Sequence, residues 1–333
     1  MTVRVAVNGF GRMGRAACRI IHARALGLEV VAVNELGNPA TMADLLARDS
    51  VHGRFHANVN PVEGGIEVDG SLIRFFAQPD PSLLPWRDLE IDVVLEATGH
   101  FRTRAAAAAH LDAGATRVIV SAPCKDADAT FVIGVNDDEF DPAAHHVVSN
   151  ASCTTNCLVP MVKVLQDTFG IEQGLMTTVH AYTGDQSLVD GPHKDPRRAR
   201  AAALNIVPTS TGAARATSAV IAAVEGRLDG TALRVPVADG SITDLVALVD
   251  RETTVEEVNR AFADAAAGNL AGVLEYSNAP LVSTDIIGSA ASCVFDAPLT
   301  MVGGRLVKVF GWYDNEWGYA NRLVELANLI GRG

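Results

Sequence analysis

The chain has 333 residues, 48% of them hydrophobic and 20% charged, which suits one large or two ordinary globular domains and excludes a disordered segment. A formal net charge of -12 argues against a general nucleic-acid or membrane-surface binder, and no apolar run approaches the roughly 20 residues that span a bilayer. Five cysteines (Cys18, Cys124, Cys153, Cys157, Cys293), odd in number and irregularly spaced, form no disulfide framework.

Over the first 150 residues, short β-branched runs alternate with helix-length segments. Strands are expected at 3–7, 29–34, 92–97, 117–121, 130–135 and 146–149, and helices at 12–22, 41–47 and 104–113. Val93-Val94-Leu95 and Val118-Ile119-Val120 are continuous apolar runs, as strands buried on both faces require. This alternation implies right-handed crossovers and an α/β domain at 1-150 built on a doubly wound parallel sheet. The first strand-like run starts at Val3 with no charged leader and apolar stretch before it, so a cytoplasmic location is expected.

Past Cys153 the pattern changes. A helix is expected at 157–169, then longer strand-like segments at 174–180, 231–237, 242–248 and 305–312, with helices at 213–223 and 255–267. These describe a second, α+β domain at 151-317 with a mixed or antiparallel sheet. A last helix at 318–330 carries Leu323, Leu326, Ala327 and Ile330 on one face, and the segment 318-333 is expected to pack back on the first domain.

Gly9-Phe10-Gly11-Arg12-Met13-Gly14 places G-x-G-x-x-G directly after the first strand and at the start of a helix. Gly9 would make the turn, Gly11 would admit a pyrophosphate close to the backbone, and Gly14 would let helix and strand pack. The phosphates would sit on unpaired N–H groups at the positive end of the helix dipole. Glu35, 21 positions beyond Gly14 at the end of the second strand, can accept from ribose hydroxyls and would repel a 2′-phosphate. The expected cofactor is therefore NAD.

Ser149-Asn150-Ala151-Ser152-Cys153-Thr154-Thr155-Asn156-Cys157 follows a strand and precedes a helix. Cys153 would sit at a helix N-terminus, where the dipole favours thiolate, among polar neighbours that suit a solvent-facing pocket. Cys157, one turn on, reads as structural. No second Cys/His pair at ligand spacing accompanies the two thiols, so no metal is expected. Position alone does not choose the base among nine histidines, although His180 ends a strand-like run and opens a polar loop. The cluster Lys194, Arg197, Arg198 and Arg200 reads by itself as a solvated face.

These motifs converge. The chain resembles the phosphorylating glyceraldehyde-3-phosphate dehydrogenase family along essentially its whole length. The anchors are Asn8 to Arg12, the Ser149 to Cys157 stretch, Thr178-Val179-His180, Pro192-His193-Lys194-Asp195, Pro208 to Gly212, Arg234-Val235-Pro236 and Trp312-Tyr313-Asp314-Asn315-Glu316. The resemblance implies a Rossmann-type NAD-binding domain, Cys153 as nucleophile, and His180 as its base and ion-pair partner. It also implies that Ser152, Thr154, Thr211 and Gly212 hold the attacking inorganic phosphate, and that Thr183 and Arg234 hold the phosphate of glyceraldehyde 3-phosphate. Arg198 would serve the anion pocket, which revises the bland reading of the basic cluster. Arg12, Met13, Glu35, Ser121 and Asn315 match cofactor contacts, and a homotetramer is implied, with the 182–208 loop between subunits.

Within the family, erythrose-4-phosphate dehydrogenase is the close alternative. Glu35, where most glyceraldehyde-3-phosphate enzymes have Asp, and Leu84-Pro85-Trp86-Arg87-Asp88-Leu89 lean that way. Tyr182-Thr183-Gly184-Asp185-Gln186 and Thr209-Ser210-Thr211-Gly212 look like the glyceraldehyde-3-phosphate pattern and bear on substrate more directly. Gln78-Pro79 stands where many relatives carry Glu-Arg, which puts the adenine contacts in doubt. A scaffold paralogue without activity is disfavoured by the intact Cys153 and His180.

Overall fold

A computed structural model describes residues 2–24 and 26–333. The chain forms two compact units: one ends at Ala151 and resumes over Ala320–Gly333, and the other is Ser152–Tyr319.

The first unit is built on β1 (Val3–Asn8), α1 (Arg12–Arg24), β2 (Leu28–Asn34), α2 (Pro39–Ala47), β3 (Val59–Val62), β4 (Gly65–Val68), β5 (Ser71–Phe76), β6 (Val93–Glu96), β7 (Arg117–Val120), β8 (Ala129–Thr130) and β9 (Val147–Ser149). They make one nine-stranded sheet in the order β8-β9-β7-β6-β1-β2-β5-β4-β3. Its pairings are parallel except β3–β4 and β4–β5, which are antiparallel. Strand order reverses between β1 and β6, the position at which open α/β sheets bind ligands. The central strands are apolar throughout because both their faces are covered: Val5, Ala6, Val7, Val93, Val94, Leu95, Val118 and Ile119 are all fully buried.

Three local readings are corrected. The strand expected at 130–135 shrinks to Ala129–Thr130, because the Asn136 side chain replaces a strand partner. Its Oδ1 accepts from Val132 N at 2.9 Å and its Nδ2 donates to the Thr130 carbonyl at 3.0 Å. The helix expected at 104–113 is two short segments, Arg104–Ala107 and Ala109–Asp112. The hairpins β3 to β5 went unforeseen: their exposed faces blur the alternation, and Pro61 confines β3 to the sheet edge.

The second unit starts with α3 (Cys153–Phe169), capped by Ser152, whose hydroxyl accepts from Thr155 N at 3.1 Å. It continues with β10 (Ile171–Ala181), β11 (Val207–Ser210), β12 (Leu228–Val235), β13 (Ser241–Val249), α4 (Val255–Ala267), β14 (Leu274–Ser277), β15 (Cys293–Asp296) and β16 (Leu306–Tyr313). These strands lie in the order β11-β12-β10-β13-β16-β15-β14. The sheet is mixed: β10–β12 and β14–β15 are parallel, and the other pairs are antiparallel. Alternation along β13 is regular, one residue in and the next half-exposed, as a sheet with one covered face requires. The helix expected at 213–223 is only Ala213–Ser218, followed by a single tight turn at Ala222–Val224. The last helix, α5 (Trp317–Ile330), buries Leu323, Leu326, Ala327 and Ile330. Among the described residues, no helix is long and apolar enough to cross a membrane.

Candidate active site

The glycine loop explains itself atom by atom. Gly9 has φ +92°, and a Cβ there would lie 2.7 Å from Thr98 N. A Cβ on Gly14 would lie 2.3 Å from the Gly9 carbonyl oxygen. Both contacts are impossible for any larger residue. Gly11 is different: a Cβ there would meet nothing within 4 Å, so this position faces open space from which a ligand can reach the backbone. A cavity of about 380 Å³ opens beside it, lined by Gly9, Gly11, Asn34, Glu35, Gln78 and Thr98 among others. Crevice, glycine cradle and helix start together fit a dinucleotide.

Glu35 lines this cavity half-buried, and it also braces the loop. Its Oε2 accepts from Phe10 N at 2.9 Å and its Oε1 from Gly37 N at 3.2 Å. Each oxygen keeps a lone pair for a ribose hydroxyl. The segment at Gln78 is anchored through its backbone, Gln78 N donating to Asn34 Oδ1 at 2.8 Å and its carbonyl accepting from Asn34 Nδ2 at 2.9 Å. Arg12 is drawn elsewhere: its guanidinium makes a bidentate pair with Asp49, at 2.8 and 3.1 Å. Neither Arg12, Met13, Gly14 nor Ser121 lines the cavity. Ser121 instead closes the sheet, its N–H donating to the Glu96 carbonyl at 2.9 Å.

In the second unit, Cys153 opens α3 and lies half-buried. Ala151, just before it, has φ 56°, a left-handed backbone that costs a residue bearing a Cβ about 1–2 kcal/mol. Cys153 Sγ lies 3.4 Å from Nε2 of the buried His180, at the end of β10. His180 Nδ1 is 2.7 Å from the Ala181 carbonyl. Arg234 Nη1 also lies 3.2 Å from this nitrogen; in the tautomer that donates from Nδ1 to the carbonyl, Nε2 keeps a lone pair facing the thiol. The thiol can therefore give its proton directly to the ring.

Burial pushes the Cys153 thiol up to about 11, opposed by the Arg234 charge and by hydrogen bonds from Thr154. Burial, then the Arg234 charge, pushes His180 down to about 3. Both shifts run toward the uncharged forms, and burial is the largest cause of each. A neutral imidazole is the form that accepts a proton.

Parallel register sets His180 beside Arg234 on β12. Arg234 Nη1 donates to the Ala181 carbonyl at 3.0 Å and to Thr183 Oγ1 at 2.9 Å. Its Nε–H is buried and has no hydrogen-bond partner among the described residues. A cationic donor left open in this way suits an anionic ligand. Arg198 donates from Nε and Nη2 to Thr209 Oγ1, at 2.9 and 2.7 Å, and pairs with Asp185 and Asp195. Burial pushes the Asp185 carboxyl up, but the Thr183 hydroxyl and the Arg234 and Arg198 charges hold it below its usual range.

Of the expected anion ligands, Thr183, Arg198 and Arg234 thus join His180 in one network. Thr154 is buried, and its hydroxyl lies 3.0 Å from the Tyr313 hydroxyl. Thr211 Oγ1 accepts from Ala213 N at 3.2 Å, and Gly212 is exposed with open space around it. Among the described residues no hydrogen bond joins Thr211 or Gly212 to the Cys153–His180 network. Buried Asn315 accepts from Ser241 Oγ at 2.6 Å. Three members went unforeseen: Tyr313, Thr209 and Asp185. Asp185 lay inside a quoted motif, and Tyr313 beside Asn315 in another, but nothing local marks which hydroxyl or carboxylate turns inward.

Comparison with known proteins points to a single family. The family model for the NAD binding domain of glyceraldehyde 3-phosphate dehydrogenase matches residues 3–104, and that for its C-terminal domain matches residues 152–315. The chain is 59% identical over 331 residues to glyceraldehyde-3-phosphate dehydrogenase 1 of Streptomyces avermitilis, covering 99% of each chain. It is 58% identical to glyceraldehyde-3-phosphate dehydrogenase 2 of Streptomyces arenae over the same share, and 54% identical to the Mycobacterium avium enzyme across 100% of this chain and 99% of that one.

Proposed function

The chain belongs to the glyceraldehyde-3-phosphate dehydrogenase family, and from that premise we propose that it oxidises D-glyceraldehyde 3-phosphate with NAD and inorganic phosphate to 1,3-bisphosphoglycerate. The observation that carries this reading is the 3.4 Å approach of Cys153 Sγ to Nε2 of His180.

Cys153 sulfur adds to the aldehyde carbon as its proton passes to His180 Nε2 and from there to the carbonyl oxygen, which becomes the hydroxyl of a thiohemiacetal and leaves His180 neutral again. The Cys153 backbone N–H, in the first helical turn and so without an intrahelical partner, steadies the oxyanion as it forms. His180 then takes the hydroxyl proton as C1 loses a hydride, leaving a thioester on Cys153. Bound NAD supplies the hydride acceptor. A phosphate oxygen attacks the thioester, the C–S bond breaks, and the departing sulfur takes back the proton from His180, releasing the acyl phosphate and restoring the Cys153 thiol.

Arg234 and Thr183 hold the phosphate of the substrate. Ser152, Thr154, Thr211 and Gly212 receive the attacking phosphate, and Arg198 serves the same anion pocket. In the first unit Gly9, Gly11, Gly14 and Glu35 form the cofactor site, with Arg12, Met13 and Ser121 supporting it from outside the cavity; Asn315, in the second unit, is read as a cofactor contact by family resemblance alone. The relatives named above carry the glyceraldehyde-3-phosphate name, which favours the three-carbon aldehyde over erythrose 4-phosphate.

A homotetramer is supported by the loop at 182–208, where Leu188, Val189, Leu204 and Ile206 are all more than half exposed in the single chain. Five free thiols suit a reducing, cytoplasmic compartment. The activity is tested by following NADH absorbance with NAD, phosphate and each aldehyde. A phosphate-dependent rate with glyceraldehyde 3-phosphate is expected; turnover confined to erythrose 4-phosphate would overturn the assignment. Sedimentation of the intact protein at four times the monomer mass is the expected mark of the tetramer.

A further inference from the structure

The crevice that takes the cofactor is short of positive charge. Its lining includes Glu35 and, among the described residues, no lysine or arginine. The two cations nearest the glycine loop in sequence are turned to the protein itself. Arg12 pairs with Asp49 at 2.8 and 3.1 Å, and Arg15 donates to the Phe10 carbonyl at 2.8 Å. NAD brings two phosphate groups into this space, and the N–H groups that open α1 meet them with partial charge only.

One lining side chain can add a directed N–H, and its turn lies against that loop. His100 stands four residues past the end of β6. Glu96 accepts from the N–H and the hydroxyl of Thr98, the former at 2.8 Å, and Thr98 Oγ1 accepts from His100 N at 3.0 Å. The His100 carbonyl accepts from Arg102 N at 3.1 Å. The turn is packed on the glycine loop, since a Cβ on Gly9 would lie 2.7 Å from Thr98 N and 2.8 Å from Thr98 Cα. Two residues of chain span at most about 7 Å, so the His100 backbone is held near the loop that receives the phosphates.

The side chains of this turn divide. Phe101 meets the buried His110 ring edge-on, with centroids 6.4 Å apart. His100 is exposed at the cavity wall, and neither of its ring nitrogens has a hydrogen-bond or ion-pair partner among the described residues. Its backbone is tied at both ends, while the protein makes no use of its imidazole. A neutral imidazole donates from one nitrogen and an imidazolium from both, so a donor is available in either form. Phosphate oxygens are ionised acceptors, and bonds to them are about twice as strong as those between neutral groups.

We propose that His100 is a cofactor-binding residue whose imidazole donates to the diphosphate of NAD beside the glycine loop. The inference rests on the dinucleotide reading of this cavity. Three ligands separate the parts of the crevice: adenosine has no phosphate, ADP-ribose carries the diphosphate without nicotinamide, and NAD+ carries both.

The test is the affinity of full-length protein, freed of nucleotide, for these three ligands, by calorimetry for ADP-ribose and NAD+ and by ligand-observed NMR for adenosine. His100→Leu should weaken ADP-ribose and NAD+ by the same factor, about fivefold or more, and leave adenosine unchanged. His100→Lys, which restores an N–H donor, should recover most of the ADP-ribose loss; a lysine variant as weak as the leucine one would exclude donation. An equal loss for adenosine would make His100 part of the adenosine wall, and a loss confined to NAD+ would put it at the nicotinamide. Either result overturns the proposal, as does unchanged ADP-ribose affinity in His100→Leu. If the wild-type protein bound neither ADP-ribose nor NAD+, the dinucleotide reading would fall with it.

Discussion

His180 Nε2 faces Cys153 Sγ at 3.4 Å, while its other ring nitrogen lies 2.7 Å from the carbonyl of the next residue, Ala181, and 3.2 Å from Arg234 Nη1. That carbonyl also receives Arg234, so ring orientation and anion binding share one backbone oxygen. The first prediction follows. In His180→Asn the thiol keeps its burial, which pushes it up to about 11, and loses its proton acceptor. Alkylation of Cys153 by iodoacetamide at pH 7 should slow about tenfold or more, and its rate profile should move to higher pH. An unchanged profile would mean that His180 does not assist the thiol.

Tyr313 makes a second tie of this kind. Its buried hydroxyl lies 3.0 Å from Thr154 Oγ1 on α3 and 2.8 Å from Thr178 Oγ1 on β10, joining the nucleophile's helix to the strand that ends in His180. Its ring meets the imidazole edge-on, with centroids 5.8 Å apart. Tyr313→Phe removes the hydroxyl that both threonines share, leaving Thr178 its bond to the Ile242 carbonyl at 3.3 Å, and should cost about 1–3 kcal/mol of stability in a denaturant titration. Because helix start and imidazole then lose a shared brace, kcat should fall severalfold with little change in KM for either phosphate.

How much of this was legible in sequence depends on distance along the chain. The glycine loop was legible because its demands are local: Gly9 needs a positive φ and Gly14 has no room for a Cβ, whatever the rest of the chain does. The helix start at Cys153 was legible for the same reason. Tyr313 was not, since its partners Thr154 and Thr178 stand 159 and 135 residues away and only sheet register brings them together. Arg198 shows the intermediate case. Composition made it part of a solvated cluster, resemblance placed it at an anion, and the fold adds Thr209, which no motif had marked as its anchor. The strand expected at 130–135 failed because Asn136, a side chain, supplied bonds that the pattern assigned to a neighbouring strand.

Arg12 gives a prediction that separates stability from cofactor binding. Its guanidinium is spent on Asp49, whose carboxylate is mostly shielded from solvent. Burial pushes the Asp49 carboxyl up, but Arg12 and the backbone N–H groups of His52 and Val51 outweigh it and hold the group well below the usual range. A carboxyl with a depressed folded-state pKa stabilises the fold above its unfolded pKa and loses that contribution as pH falls toward the folded one. Asp49→Asn should therefore cost about 1–2 kcal/mol at pH 7, a deficit that shrinks only as pH falls below the ordinary aspartate range, so its melting temperature should approach that of the wild type only under strongly acidic conditions. NAD affinity should change less than about threefold, since the loop offers its backbone to the phosphates. A large loss of affinity at unchanged stability would restore a direct cofactor role for the Arg12 pair.

The last prediction concerns how Arg198 is kept available to an anion. Two carboxylates, Asp185 and Asp195, compete for its guanidinium, and alone they would hold it as an internal salt bridge. The buried Thr209 hydroxyl takes two of its N–H groups instead and locks its plane on the sheet. Thr209→Val keeps the volume and the β-branch, so β11 should stay paired to β12. What it removes is the anchor, and Arg198 then falls to the aspartates. KM for inorganic phosphate or for glyceraldehyde 3-phosphate should rise about fivefold to tenfold, with kcat at saturation largely kept, because the Cys153–His180 pair is untouched. Thr209→Ser restores a hydroxyl at the same place and should recover most of the loss. If valine left both KM values unchanged, the carboxylates would not be competing for Arg198.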